Sequence, residues 1–184
     1  MSIAWIRHGE KIYNNGNAPP GSHDHDPPLK RDVKYKIKNL CEYLDSAGGF
    51  PTKIITSPFK RTRDTAALIH KYFYDKYGIK IDVFVDNNVS EFLGWKRPSG
   101  SIADVSKTTS AYITPILGAE NLNDVEERSK QHVRTVHKDG FTLVVTHGII
   151  IDYIHKYLTG FRLHRVKELR GVTLKDGIVK KISY

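Results

Sequence analysis

Ile3-Ala4-Trp5-Ile6-Arg7-His8-Gly9-Glu10 decides the reading of this chain, because a bulky, uncharged run stops abruptly at a cation, an imidazole and a glycine. A continuous apolar run of this kind predicts a strand buried on both faces. Its C-terminal end delivers Arg7 and His8 to the place where open α/β sheets bind ligands, and Gly9 lets the backbone turn away at once. An Arg beside a His at such a position suits a phosphate. The guanidinium forks onto two oxygens, while a neutral imidazole can attack phosphorus.

Two further runs repeat the pattern. Lys53-Ile54-Ile55-Thr56 ends in Ser57-Pro58-Phe59-Lys60-Arg61, and Phe141-Thr142-Leu143-Val144-Val145 ends in Thr146-His147-Gly148. Each is followed by a helical pattern, and the ends of parallel strands sit side by side, so groups far apart in sequence can converge. Arg61 opens its helical pattern, which puts a guanidinium near the positive end of the helix dipole and suits an anion site.

Four blocks now stand in order: Arg7-His8-Gly9-Glu10; Ser57-Pro58-x-x-Arg61 with Thr65-Ala66; Glu91 within Val89-Ser90-Glu91-Phe92-Leu93-Gly94-Trp95; and Thr146-His147-Gly148. Together they resemble the signature blocks of the histidine phosphatase superfamily, the phosphoglycerate-mutase-like fold. The resemblance reaches from near the N-terminus to about residue 148. It implies an α/β fold of three layers, a mostly parallel central sheet with helices on both faces and an antiparallel edge hairpin, in one domain over 1–184. It implies His8, Glu91 and His147 as catalytic residues, and Arg7, Arg61, Asn14 and Gly148 as phosphate-binding ones, with no metal and no cofactor. Lys11, directly after the first block, adds a further cation to the expected pocket. In the family an acid at the position of Glu91 protonates the leaving oxygen. That role requires a raised pKa, which burial against Phe92 or Trp95 would supply. The expected chemistry is attack by His8 on a phosphomonoester, giving phosphohistidine, with Arg7, Arg61 and His147 on the non-bridging oxygens.

Asp26-Pro27-Pro28-Leu29 resembles the segment before the first helix in the branch that includes protein-tyrosine-phosphatase-like members, although that branch's following Thr-x-x-Gly and Gln-Ala are missing. Three readings stay open: a phosphatase, a phosphosugar mutase, and a silent phosphate- or phosphopeptide-binding module. Against the mutase stand the length and the missing Arg-Arg-x-Tyr-Gly block. Against the silent module stand His8 and Glu91, which binding alone would not require. The expected partner is a phosphorylated small molecule or phosphoprotein, and the oligomeric state is open.

The 184 residues suffice for one domain with a sizeable core. A single cysteine, Cys41, excludes an internal disulfide and sets no demand for an oxidising compartment. No charged-then-apolar leader is seen and no apolar run approaches the ~20 residues of a membrane helix, so a cytoplasmic protein without membrane contact is expected. The formal net charge of +9 concentrates anions near the surface. Nucleic acid is not the expected anion. The one basic-aromatic stretch, Lys71 to Tyr77, fits a core stripe covered by lysine stems.

Polar residues rich in Asn, Gly and Pro from Lys11 to Leu29 predict a loop over the cleft. His23-Asp24-His25-Asp26 within it has metal-ligand residue types but no matching partner set elsewhere, and is read as loop. Apolar spacing predicts helices over 31–46, 62–77, 121–138 and 149–158. Cys41 falls on the apolar stripe of the first. A period-two strand is expected over 79–85, and a hairpin over 167–182 turning at Asp176-Gly177. The Ser/Thr/Gly-rich residues 96–118 carry no firm element. In the resembling family insertions here cover the site and choose the substrate, which makes this stretch, with Lys96 and Arg97, a candidate lid.

Overall fold

The computed structural model describes residues 2–12, 26–92, 121–136 and 140–184. Asn14, the metal-like His23-Asp24-His25 and the candidate lid over 96–118 lie outside these described residues.

The elements follow in the order β1 (Ser2–Arg7), α1 (Val33–Gly48), β2 (Lys53–Thr56), α2 (Lys60–Tyr77), β3 (Asp82–Val85), a 3-10 turn (Asn87–Val89), α3 (Leu122–Thr135), β4 (Phe141–Thr146), α4 (Gly148–Thr159), β5 (Gly171–Lys175) and β6 (Ile178–Lys181). The strands form one sheet in the order β3-β2-β4-β1-β5-β6. The first four run parallel, and β5 pairs antiparallel with both β1 and β6. This is the mixed α/β architecture that the four blocks imply.

β1 shows why its run carries no polar alternation. Ala4 and Ile6 pack with Ile54, Leu143 and Val145 against α1 and α2. Ile3 and Trp5 pack with Val144 and Val172 against α3 and α4. Both faces of the strand are covered, so every side chain between its ends must be apolar. On α1 the stripe Val33, Ile37, Leu40, Cys41 and Leu44 is wholly buried. Cys41 is thus core packing, and burial pushes its thiol well above the usual range, which leaves it inert. Asn121 starts α3 with a capping box: its side chain accepts from the amides of Asn123 and Asp124, and Asp124 accepts from Asn121.

Two expectations need correction. The period-two strand expected over 79–85 is shorter: β3 occupies only Asp82–Val85, and all four residues are exposed. β3 is the sheet edge, and the buried apolar contact falls one residue earlier, at Ile81. The hairpin begins at Gly171 instead of Lys167, because Leu169 takes a left-handed conformation (φ 55°) and the chain folds back on β1. There Leu169 donates its amide to the Arg7 carbonyl, and Arg7 donates its own to Arg170. The hairpin itself turns at Asp176 and Gly177, both with positive φ, the turn that fits strand twist.

Gly171 sits where β5 crosses β1 opposite Ile6, and a Cβ there would overlap the Trp5 carbonyl oxygen. Gly171→Ala therefore forces backbone apart. A loss of at least about 2 kcal/mol is expected, read as a lowered Tm in thermal unfolding.

Candidate active site

Four strand ends supply the site. β1 ends in Arg7 and leads to His8, and β4 ends at Thr146 and leads to His147. β2 leads through Ser57 to Arg61 in the first turn of α2, and β3 leads through the 3-10 turn to Glu91. Parallel pairing aligns Arg7 with Thr146 and Thr56 with Val145, so the residues that follow these strands are brought to one edge of the sheet. The imidazoles of His8 and His147 meet edge to face, 5.4 Å between ring centroids.

Arg61 stands at the centre. Its Nε is 3.3 Å from His8 Nε2, and its Nη2 is 3.3 Å from His147 Nδ1 and 3.5 Å from Glu91 Oε2. Its Nη1 pairs with Asp26 at 3.3 Å, and the guanidinium lies 4.5 Å above the Phe59 ring centroid. Arg7 is held differently, through Nη1 to the Val166 carbonyl (2.7 Å) and Nη2 to Glu168 (2.9 Å). Gly148 opens α4 beneath it, with the Arg7 Nε 3.7 Å from where a Cβ would stand. Lys11 is placed by a backbone bridge to Leu29, on the segment leading to Asp26. Glu10 faces away from the imidazoles, paired with Lys30 and Lys36.

The hydrogen bond to Gly9 assigns the His8 tautomer. His8 Nδ1–H donates to the Gly9 carbonyl at 2.7 Å, which leaves the lone pair on Nε2 facing Arg61. His147 Nε2 lies 2.8 Å from the Ser57 hydroxyl, and its Nδ1 stands 3.3 Å from both Arg61 Nη2 and Glu91 Oε2. Burial, then the neighbouring His147 and Arg61, hold His8 well below the ordinary imidazole pKa. Burial likewise lowers His147 to about 4, against the opposing pull of Glu91. Both rings are neutral at pH 7.

Glu91 corrects the sequence reading. Burial does push its carboxyl upward, but its contacts with His147 Nδ1 (3.3 Å) and the Arg61 guanidinium (3.5 Å) outweigh it and hold Glu91 below the usual carboxylate range. With a guanidinium in contact, the ligand-free acid is ionised. His8, Glu91 and His147 also offer atoms within 4.8 Å of one another that suit a metal ion. The Arg61 guanidinium contacts all three, and its charge opposes a cation there while favouring an anion.

Sequence reading missed three contributors. Asp26 accepts from the first helical amide of α2 (Lys60, 2.6 Å) and pairs with Arg61, although Asp26-Pro27-Pro28-Leu29 was visible as a segment. Ser57 orients His147, and Glu168 grips Arg7, a contact 161 residues away that no local pattern announces.

A family model for the histidine phosphatase superfamily (branch 1) matches residues 3–176. The chain belongs to that superfamily, and membership supports a phosphoryl-transfer activity of the phosphatase or mutase type. Among solved structures, a phosphoglycerate mutase from Bacillus anthracis is similar at 20% identity and TM-score 0.66, covering 100% of this chain and 92% of that one. A mycobacterial glucosyl-3-phosphoglycerate phosphatase is similar at 20% identity and TM-score 0.62, covering 94% and 88%. The ecdysone phosphate phosphatase of Bombix mori, solved with tungstate, is similar at 17% identity and TM-score 0.68, covering 100% and 92%. At these identities the likeness establishes the fold. The search of curated proteins gave no significant match.

Two outcomes follow for stability. An unfolded imidazole titrates at about 6.5, so below that pH the unfolded chain takes up protons that buried His8 and His147 refuse. Stability then falls with pH, by up to about 1.4 kcal/mol per unit per imidazole, and Tm measured from pH 7 to 4 shows the decline, shallower in His147→Gln. Ser90, beside Glu91, buries a hydroxyl with no hydrogen-bond partner among the described residues. Ser90→Ala removes that orphan and is expected to raise stability by about 1 kcal/mol in denaturant titration.

Proposed function

We propose that this chain is a phosphomonoesterase that works through a phosphohistidine on His8 and needs no metal. The observation that carries the reading is the His8 tautomer: Nδ1–H is spent on the Gly9 carbonyl, and the free Nε2 lone pair faces a buried guanidinium. A phosphoryl group seated against Arg61 would present its phosphorus to that nitrogen. Arg61, Arg7 and His147 would take the three non-bridging oxygens, with Gly148 at the N-terminus of α4 and Lys11 and Asn14 adding to the anion's seat. The tungstate bound by the similar Bombix mori phosphatase is a tetrahedral oxyanion of this kind.

In the first step His8 Nε2 forms a bond to phosphorus as the ester P–O bond breaks, and Glu91 gives its proton to the departing oxygen. In the second, Glu91 takes a proton from water as that water attacks phosphorus, the N–P bond breaks, and His8 is restored with release of phosphate. The ionised state of free Glu91 fits this cycle once the substrate's charge is counted. A phosphate dianion would draw Arg61 away from Glu91 and place negative charge beside the carboxylate, and both changes raise its pKa. The substrate itself thus creates the acid. Low pKa values at both imidazoles keep the nucleophile unprotonated well below neutrality. The similar phosphatases and this constellation support hydrolysis of a phosphorylated small molecule or phosphoprotein.

The test is hydrolysis of p-nitrophenyl phosphate in EDTA. His8→Ala is expected to lower kcat at least about 1,000-fold, vanadate to compete with substrate, and enzyme quenched in detergent at alkaline pH to carry a phosphoryl group that acid then releases. The acid limb of kcat/KM is expected below pH 6.5. Activity that survives His8→Ala would overturn the reading, and a requirement for 2,3-bisphosphoglycerate with isomerised product would replace it by a mutase.

A further inference from the structure

The segment from Asp86 to Glu91 carries the acid, and α3 grips it at two points. Arg128 Nη1 donates to the Asn88 carbonyl at 2.7 Å. His132, one turn further along the same face, donates Nδ1–H to Asp86 Oδ2 at 2.8 Å. The other oxygen of Asp86 accepts the Asn88 amide, which closes the 3-10 turn. A third hold comes from β4, where the Thr146 hydroxyl donates to the Val89 carbonyl at 2.6 Å.

His132 also reaches the nucleophile's strand. Its Nε2 accepts from the Trp5 indole N–H at 3.1 Å, and Trp5 lies three residues before His8 on β1. One buried imidazole therefore joins the strand that leads to His8 to the turn that leads to Glu91. Proton transfer needs its donor within about 0.5 Å of the right place. Only two residues, Val89 and Ser90, separate Asn88 from Glu91, so a shift at the grip reaches the carboxylate.

We propose that His132 and Arg128 are positioning residues for Glu91, setting the distance between acid and nucleophile without touching the substrate. This rests on Glu91 acting as the proton donor. A positioned acid matters for a poor leaving group and little for a good one. An alkyl phosphate releases a strongly basic alkoxide unless it is protonated, whereas p-nitrophenolate departs unaided.

The experiment compares kcat for glycerol phosphate and p-nitrophenyl phosphate in the full chain, with Glu91→Gln as the reference and thermal melts confirming folding. His132→Phe and Arg128→Met are expected to lose at least about tenfold more on the alkyl ester than on the aryl ester, the pattern of Glu91→Gln. His132→Gln, which keeps a donor and an acceptor, is expected to recover part of the loss. Equal losses on both esters, or none, while Glu91→Gln keeps its selectivity, would overturn the positioning role alone. No selectivity in Glu91→Gln itself would remove the acid assignment and the proposal with it.

Discussion

The Arg61 guanidinium is the constraint on which the rest of the site depends. A cation that is only 2% exposed survives in a protein interior when it is surrounded by acceptors, and uncompensated it would cost several kcal/mol. Asp26, Glu91, the lone pair of His8 and the His147 ring provide that surround, each from a different part of the chain. The His8 tautomer that satisfies Arg61 leaves Nε2 without a proton, which the proposed chemistry requires. A tetrahedral anion can exchange its oxygens for these acceptors, so the ligand-free site resembles an anion seat filled by the protein's own groups.

The sheet makes this convergence possible. β1, β2 and β4 are adjacent and parallel, and each ends at the same edge, so three short apolar runs put two imidazoles and the Arg61 guanidinium within reach of one another. The helices that follow β2 and β4 begin there, which adds their N-terminal dipoles to the same spot. Burial has a second effect. Removing the imidazoles from water lowers their basicity, and this yields neutral rings at pH 7 in a chain of formal charge +9. Glu91 responds to the opposite influence, since its nearest neighbours are cationic or polarisable, and its protonation is left to be set by the charge of what binds.

Much of this was legible in the chain. The apolar runs, the helical stripes with Cys41 among them, the Asp176-Gly177 turn and the placement of Arg7, His8, Arg61 and His147 at strand ends all rest on local rules: period, turn chemistry and the need to bury both faces of a central strand. Those rules act over a few residues, so a sequence carries them openly, and the recurring blocks placed the chain in its superfamily.

What only the tertiary structure decided depends on residues 35 to 161 positions apart. Asp26 on Arg61, Glu168 on Arg7, Ser57 on His147 and His132 between Trp5 and Asp86 are single contacts with no periodicity to betray them. The charge state of ligand-free Glu91 belongs here too. A pKa is a sum over burial and neighbouring charge, and neither exists until distant segments are packed against one another.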